Sequence, residues 1–440
     1  MHHHLVCRLC LISLFAFVAT ASAQTGAMNS AVVTQVDRTY PTLEVLYQDI
    51  HAHPEIAFDE KRTAAKLAAE MRALGFTVTE GVGKTGLVAI YENGAGPTIM
   101  VRTELDALPM EEKTGLPYAS RAKAISNGNE SFVAHSCGHD VHMASWVGTA
   151  STMVALKDQW RGRLMFVAQP AEETLQGAHA MVVDGLFTRF PKPDVALAIH
   201  TNGEVAFGRV QYRSGPAYSA ADTFEITFKG RGGHGSAPHK TIDPIVIAAH
   251  FVTDVQTIVS REKDPREFGV ITLGAFQAGT VANIIPDQAV VRGTLRSYTP
   301  EVGSLLRDGV RRMAIAAAAM SSAPEPHINI VEGVSSVIND EDVIQRVDAA
   351  IKSVLGPDQV DIARPQTPSE DFSVYAAQGV PSLTMSIGVY PPELIAAAAQ
   401  PGGKKPASNH SPYFAPVPEP SIKTGVKVTT SALLTLMGKK

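Results

Sequence analysis

Short apolar runs that stop on polar or ionisable residues constrain this chain more than any other feature of its 440 residues. Gly86 to Tyr91, Thr98 to Arg102, Arg163 to Ala168, Val195 to His200 and Ser382 to Gly388 read as strands. Helical stretches lie between them, including Thr63 to Leu74, which Gly75 ends, and Met143 to Leu156. Near-continuous apolar strands alternating with helices predict an α/β sheet covered on both faces. Between about 215 and 332 the texture changes to alternating strands at Thr223 to Lys229, Val270 to Gln277 and Ala289 to Ser297, with long helical stretches at Pro244 to Ser260 and Glu301 to Met320. Because the α/β texture resumes after Asn339, this α+β segment reads as an insertion. The expected architecture is α/β: a domain with a mixed sheet flanked by helices over 38–214 and 333–440, interrupted by a smaller α+β domain over 215–332. A chain of this length exceeds what one hydrophobic core usually serves, which fits two domains.

The N-terminus reads as an export signal. Arg8 supplies a short basic region, Leu9 to Ala19 is apolar, and Ala21-Ser22-Ala23 forms a small-residue cleavage signal, with cleavage expected after Ala23. That apolar run is too short to span a bilayer, and no later segment reaches the roughly 18 to 20 apolar residues a span needs. A periplasmic or secreted protein is the expectation. Net charge is −5, from 38 basic and 43 acidic residues without long blocks of either sign, which leaves no electrostatic footprint for nucleic acid or anionic membrane. A small or weakly charged ligand fits better. Of three cysteines, Cys7 and Cys10 leave with the signal, so Cys137 remains without a disulfide partner.

In open α/β sheets ligands gather outside the carboxyl ends of the strands. The run from Ile99 leads into Glu104 and Asp106, the run from Leu164 into Glu172 and Glu173, Val195 to Ile199 stops at His200, and Ser136-Cys137-Gly138-His139-Asp140 opens a helix. Cys137 and His139, two apart, point to one side only in an extended segment, so they can chelate one ion only from a loop. Thiolate with imidazole favours zinc or a similar borderline-soft metal. Glu172 and Glu173 point oppositely in an extended backbone, which would let one ligate metal and the other act as base. Judged singly, each of these groups has a plainer reading: a buried structural cysteine, a solvated carboxylate pair, a hydrogen-bonded histidine. His410, in Ser408-Asn409-His410-Ser411-Pro412, is far along the chain, and only a fold can bring it to the others.

The segments DIHAHPE (49–55), ELDALP (104–109), SCGHDVHM (136–143), QPAEE (169–173), GRGGHGSAPH (230–239), ANIIPDQAVVRGTLRS (282–297), SEDFS (369–373) and NHSPYF (409–414) run in order over nearly the whole chain. In these the chain resembles the metal-dependent aminoacylase/carboxypeptidase family, in its hippurate hydrolase and indole-acetyl-amino-acid hydrolase branch. The resemblance implies two divalent metal ions, whether zinc, manganese, cobalt or nickel, held by Cys137, His139, Glu173, His200 and His410. It implies Glu172 as general base and later proton donor to the leaving amine, and Asp106 as a carboxylate that orients a ligand histidine. It further implies that 215–332 forms a lid that dimerises, with His234 and Asn283 stabilising the oxyanion and Arg296 binding the substrate's free carboxylate. The planar fork of an arginine suits a carboxylate. His142 and His239 are read as structural or supporting residues.

Several positions depart from the family pattern: Glu104 stands where a shorter aspartate is usual, Thr174-Leu175-Gln176 replaces a glycine-rich stretch, and loops near 121–133 and 392–408 look long. These leave the metal chemistry intact and the substrate open. The expected reaction is hydrolysis of the amide of an N-acyl amino acid or small peptide-like conjugate. The competing expectations are a dipeptidase or carboxypeptidase of the same family, a Cys137 nucleophile activated by His139, and an exported binding protein without chemistry.

Overall fold

The computed structural model describes residues 5–438, with side chains described from Met28 onward. The expected export signal and the expected cleavage after Ala23 therefore lie outside the residues whose side chains are described; the first helix runs Leu5–Ala52. The chain forms two compact units: residues 1–215, 339–363 and 378–440 make the larger, residues 216–338 and 364–377 the smaller. The stretch 364–377, read from sequence with the larger domain, groups with the smaller unit. Its Gln366 amide bonds the Ala217 carbonyl and its Pro368 carbonyl accepts the Ser219 amide.

The larger unit is built on an eight-stranded mixed sheet in the spatial order Thr77–Val82, Gly86–Asn93, Gly162–Gln169, Thr98–Glu104, Val195–Ala206, Ser382–Tyr390, Val210–Tyr212, Val360–Ile362. The four central strands from Gly162–Gln169 to Ser382–Tyr390 run parallel. Every residue of Thr98–Glu104 and of Ser382–Tyr390 is buried, as a sheet covered by helices demands. The helices Lys61–Ala73, His139–Ala155, Glu341–Leu355 and Pro418–Met437 pack into the same core, which includes Leu67, Trp146, Val347 and Val426.

Two local readings are corrected here. The helix read as starting near Met143 begins at His139, because Gly138 takes a left-handed φ of 88° as its N-cap. A β-carbon at Gly138 would lie 2.5 Å from Thr201 Oγ1, so only glycine permits this approach. His200 does not end its strand. The apolar run stops there, but pairing with Ser382–Tyr390 continues to Ala206, with Ser386 opposite His200. The long loop near 121–133 is a β-hairpin, Lys123–Ser126 paired with Asn129–Phe132. Its Asn127-Gly128 turn, with φ of 51° and 79°, is the two-residue connection that matches strand twist. The 392–408 segment opens with a helix, Pro392–Ala398.

The smaller unit is a four-stranded antiparallel sheet in the order Gly269–Ala278, Gln288–Ser297, Ala220–Lys229, His327–Val334. The helices Pro244–Asp254 and Pro300–Met320 cover one face, burying Phe251 and Leu306 against Phe224, Phe228 and Val291. The helix read over Pro244 to Ser260 stops at Asp254, and a wider turn follows at Ile258–Glu262.

Candidate metal centre

Glu172 and Glu173 follow the end of the strand Gly162–Gln169, His200 lies within Val195–Ala206, Cys137 and His139 flank the turn at Gly138, and His410 sits in a turn; the fold brings all six together. Their ligand atoms fall into overlapping groups, each with all members within 4.8 Å of one another: Cys137, His139 and His200; Cys137, Glu173 and His410; His139, Glu172 and Glu173. Cys137 Sγ is 3.5 Å from His200 Nε2, and His410 Nε2 is 3.4 Å from Glu173 Oε2. Cys137 precedes the helix and His139 is its first residue, so both reach the centre from the turn at Gly138.

Two of the histidines turn their Nε2 atoms toward the cluster. His139 Nδ1 lies 2.8 Å from the Asp106 carbonyl, and His200 Nδ1 lies 2.8 Å from the Thr201 carbonyl. A carbonyl only accepts, so each Nδ1 carries the proton and each Nε2 presents a lone pair to the cluster. Burial holds the His139 pKa well below its ordinary value, and burial with neighbouring His142 brings His200 down to about 4. Both imidazoles are thus neutral at pH 7. His139 Nε2 is buried without a hydrogen-bond partner, 3.8 Å from Glu172 Oε2 and 3.9 Å from Glu173 Oε1. A buried lone pair facing two carboxylates is unfavourable unless a cation sits among them. Thiol, imidazole and carboxylate donors suit a divalent, borderline-soft ion. The residues present therefore fit bound metal.

Burial, followed by Glu173 and Glu172, pushes the Cys137 thiol well above its ordinary pKa. The thiolate a nucleophile needs is disfavoured until a metal displaces the proton.

The carboxylate of Asp106 has a different task from the one the resemblance implies. Its backbone carbonyl orients His139, while its two carboxylate oxygens accept the amides of Glu172 at 3.0 Å and Glu173 at 2.9 Å. His139 Nδ1 stands 3.8 Å from the carboxylate itself. Burial and the nearby charges of Glu173 and Glu60 raise the Asp106 pKa well above the usual range.

Two supporting networks carried no functional assignment in the sequence. In one, Arg102 pairs with Glu104, Glu104 Oε2 accepts His142 Nδ1 at 2.9 Å, and His142 Nε2 accepts the Thr201 amide at 2.8 Å. Glu104, longer than the usual aspartate, spans from the buried Arg102 to His142, and Arg102 holds its carboxyl well below the carboxylate range against the cost of burial. In the other, Asn409 Nδ2 donates to the Cys137 carbonyl at 2.9 Å and the Thr201 carbonyl at 3.2 Å, and its Oδ1 accepts the Gly203 amide at 3.2 Å. Thr201 Oγ1 also donates to the Cys137 carbonyl at 2.7 Å, and the His410 amide to the Ser136 carbonyl at 2.7 Å. The segments carrying Cys137, His200 and His410 are thereby clasped. The adjacency of Asn409 to His410 was the only sequence signal for it.

His234, Asn283 and Arg296 lie in the smaller unit. His234 pairs with Ile284 in a short ribbon, and the Gly235 amide bonds the Asn283 carbonyl at 2.8 Å, so the first two are neighbours. Both are exposed. His234 Nδ1 is 2.8 Å from Ser236 Oγ. Arg296, on the strand Gln288–Ser297, donates to Ser369 Oγ. His239 lies in the short turn Pro238–Lys240.

A cluster of neutral imidazoles, a thiol and carboxylates beside the parallel centre of a mixed sheet defines a metallohydrolase centre. Residues 100–435 match peptidase family M20/M25/M40, and the chain belongs to that family. It is 34% identical over 331 residues to the N-acetyl-L-cysteine deacetylase of Bacillus subtilis strain 168, covering 74% of this chain and 75% of that one. It is 33% identical over 336 residues to the hippurate hydrolase of Campylobacter jejuni, covering 76% and 84%. Among solved structures, the YXEP protein of Bacillus subtilis, a dinuclear metal-binding peptidase from the M20 family, superposes with a TM-score of 0.75 at 26% identity, covering 91% of this chain and 99% of that one. The protein is thus a metal-dependent amidohydrolase, which sets aside both the thiol-nucleophile reading and that of an exported binding protein without chemistry.

Proposed function

We propose that the protein hydrolyses the amide bond of N-acyl amino acids or small peptide-like conjugates, releasing a carboxylic acid and an amino acid. The observation that carries this reading is the pair Glu172 and Glu173, both close to one buried histidine nitrogen, 3.8 and 3.9 Å from His139 Nε2. Two divalent ions held by Cys137, His139, Glu173, His200 and His410 would supply Lewis acidity at the amide carbonyl and make water acidic enough to attack near neutral pH. Glu172, 6% exposed and with its amide fixed by Asp106, takes the proton of the attacking water and returns it to the leaving amine. Arg296 receives the free carboxylate of the amino acid, and His234 with Asn283 donates to the oxygen that gains charge.

The smaller unit serves as a lid and pairs with a second copy of the chain. Apolar side chains exposed on it support this: Val270 and Phe276 on the edge strand Gly269–Ala278, Ile245 and Val246 on the helix Pro244–Asp254, and Ile284. The basic, apolar and small-residue order of the N-terminus supports export, with a periplasmic or secreted mature protein.

The test is a screen of N-acetyl, N-benzoyl and indole-acetyl amino acids and of dipeptides, before and after chelation. Hydrolysis of an acyl amino acid that disappears with chelator and returns with zinc, manganese, cobalt or nickel is expected. Turnover of dipeptides alone, or turnover indifferent to chelator, contradicts the proposal.

A further inference from the structure

Glu60 is a fully buried carboxylate with no part in the chemistry above. It stands at the N-cap position of the helix Lys61–Ala73, yet its side chain makes no capping bond there. It turns inward instead. Oε1 accepts the amides of Phe58 at 2.9 Å and Ala171 at 2.8 Å, and Oε2 accepts the hydroxyl of Thr85. Both residues whose amides it holds have left-handed backbone, Phe58 at φ 65° and Ala171 at φ 49°, a region that non-glycine residues occupy only when their surroundings impose it.

Ala171 directly precedes Glu172 and Glu173. With Asp106 accepting the amides of 172 and 173, three consecutive N–H groups are handed to two buried carboxylates from distant parts of the chain. The Glu60 contact sets the strained φ at 171, and the Asp106 contacts set the two peptides after it. Without the Glu60 acceptor the Ala171 amide would be buried and unpaired, and relaxation out of the left-handed region would swing the peptides that carry both carboxylates.

We propose that Glu60 is a positioning residue that holds Glu172 and Glu173 in their working orientations by fixing the backbone at Ala171. The inference rests on the reading of Glu172 as base and Glu173 as metal ligand. It predicts one effect on turnover, through Glu172, and a separate effect on metal binding, through Glu173.

The experiment compares Glu60→Gln, which keeps an acceptor at the same reach, with Glu60→Ala, which deletes it. Glu60→Ala should lose about 10²-fold in kcat with little change in KM, since a displacement near 1 Å of a reacting group costs that much. Competition against a chelator, without substrate, should show zinc held about 10- to 100-fold more weakly by Glu60→Ala and at wild-type strength by Glu60→Gln. A merely structural role would lower the melting temperature of Glu60→Ala while its folded fraction kept wild-type kcat and zinc affinity, and that result overturns the proposal. Glu60→Gln as impaired as Glu60→Ala overturns it equally. If the alanine variant does not fold, Glu60→Asp, one methylene too short to keep all three contacts, takes its place with the same expectations. The substrate-free zinc competition reads Glu60 directly even if Glu172→Gln proves fully active, so failure of the base assignment and failure of this inference are told apart.

Discussion

Asn409→Ala is the sharpest probe of how the ligand-bearing segments are held. The substitution removes donors to the carbonyls of Cys137 and Thr201 and the acceptor of the Gly203 amide. Both carbonyls keep another donor, Thr201 Oγ1 for the first and His200 Nδ1 for the second, so neither is stranded. Nδ2 also reaches Thr201 Oγ1 at 3.2 Å, but with two hydrogens it shares them among its three acceptors, so the loss is that of about three hydrogen bonds at about 1 kcal/mol net each, about 1 to 3 kcal/mol. If that loss falls on the arrangement that binds metal, affinity weakens about 5- to 150-fold, at about 1.4 kcal/mol per decade. Zinc competition against a chromophoric chelator measures this, with melting of the metal-free protein as the control for folding. Zinc affinity within about twofold of wild type, in a variant that folds, would refute the clasp, because bonds worth this much cannot vanish without effect if they set the ligand spacing.

Further outcomes follow from the same geometry. His51 is buried between Asp140 at 2.6 Å and Glu112 at 3.1 Å; burial opposes its charge, but these bonds outweigh it and raise its pKa from 6.5 to about 9. A raised folded pKa stabilises fully below the unfolded value and is lost as pH rises through the folded one. The melting temperature should therefore fall as pH rises from about 6.5 through about 9, and His51→Gln should flatten that slope; an unchanged slope contradicts a charged His51. The raised Cys137 pKa means zinc uptake near neutrality expels a proton, so calorimetry in buffers of different ionisation heat should detect its release and affinity should weaken as pH falls. Gly138→Ala forces a β-carbon to 2.5 Å from Thr201 Oγ1 at a φ of 88°, and should lower stability by at least about 1 to 2 kcal/mol in chemical denaturation.

The strand pattern of the larger unit was legible because its apolar runs are long and their polar ends coincide with the sheet's carboxyl edge. Glu172, Glu173 and His200 could be collected on that rule, and Cys137 with His139 from the segment that opens a helix. His410 could not, since 210 residues separate it from His200 in sequence and only the fold and the family resemblance bring it in. Boundaries failed where hydrogen bonding outlasts hydrophobicity, as at His200, whose strand runs on to Ala206. They failed also where one glycine advances a helix start, as at Gly138. The hairpin at 123–132 did carry its signal, the Asn127-Gly128 turn, hidden by flanking strands too polar to alternate clearly.

Supporting groups were the least legible. Asp106, Glu60 and Asn409 act through backbone amides and carbonyls of residues up to 272 positions away, and no spacing rule encodes a bond from a side chain to a remote backbone. Asp106 shows the difference most clearly: a carboxylate expected to orient a histidine instead fixes two peptides, and its carbonyl does the orienting.

The central claim is that Glu172 moves the proton while its neighbour Glu173 binds metal. Its most direct test is kcat of Glu172→Gln on whichever N-acyl amino acid the wild-type protein cleaves, with bound metal counted in both proteins. The account predicts equal metal content and a kcat lower by about 10² to 10⁴-fold, the usual worth of general base catalysis. An unchanged kcat at equal metal content would contradict it.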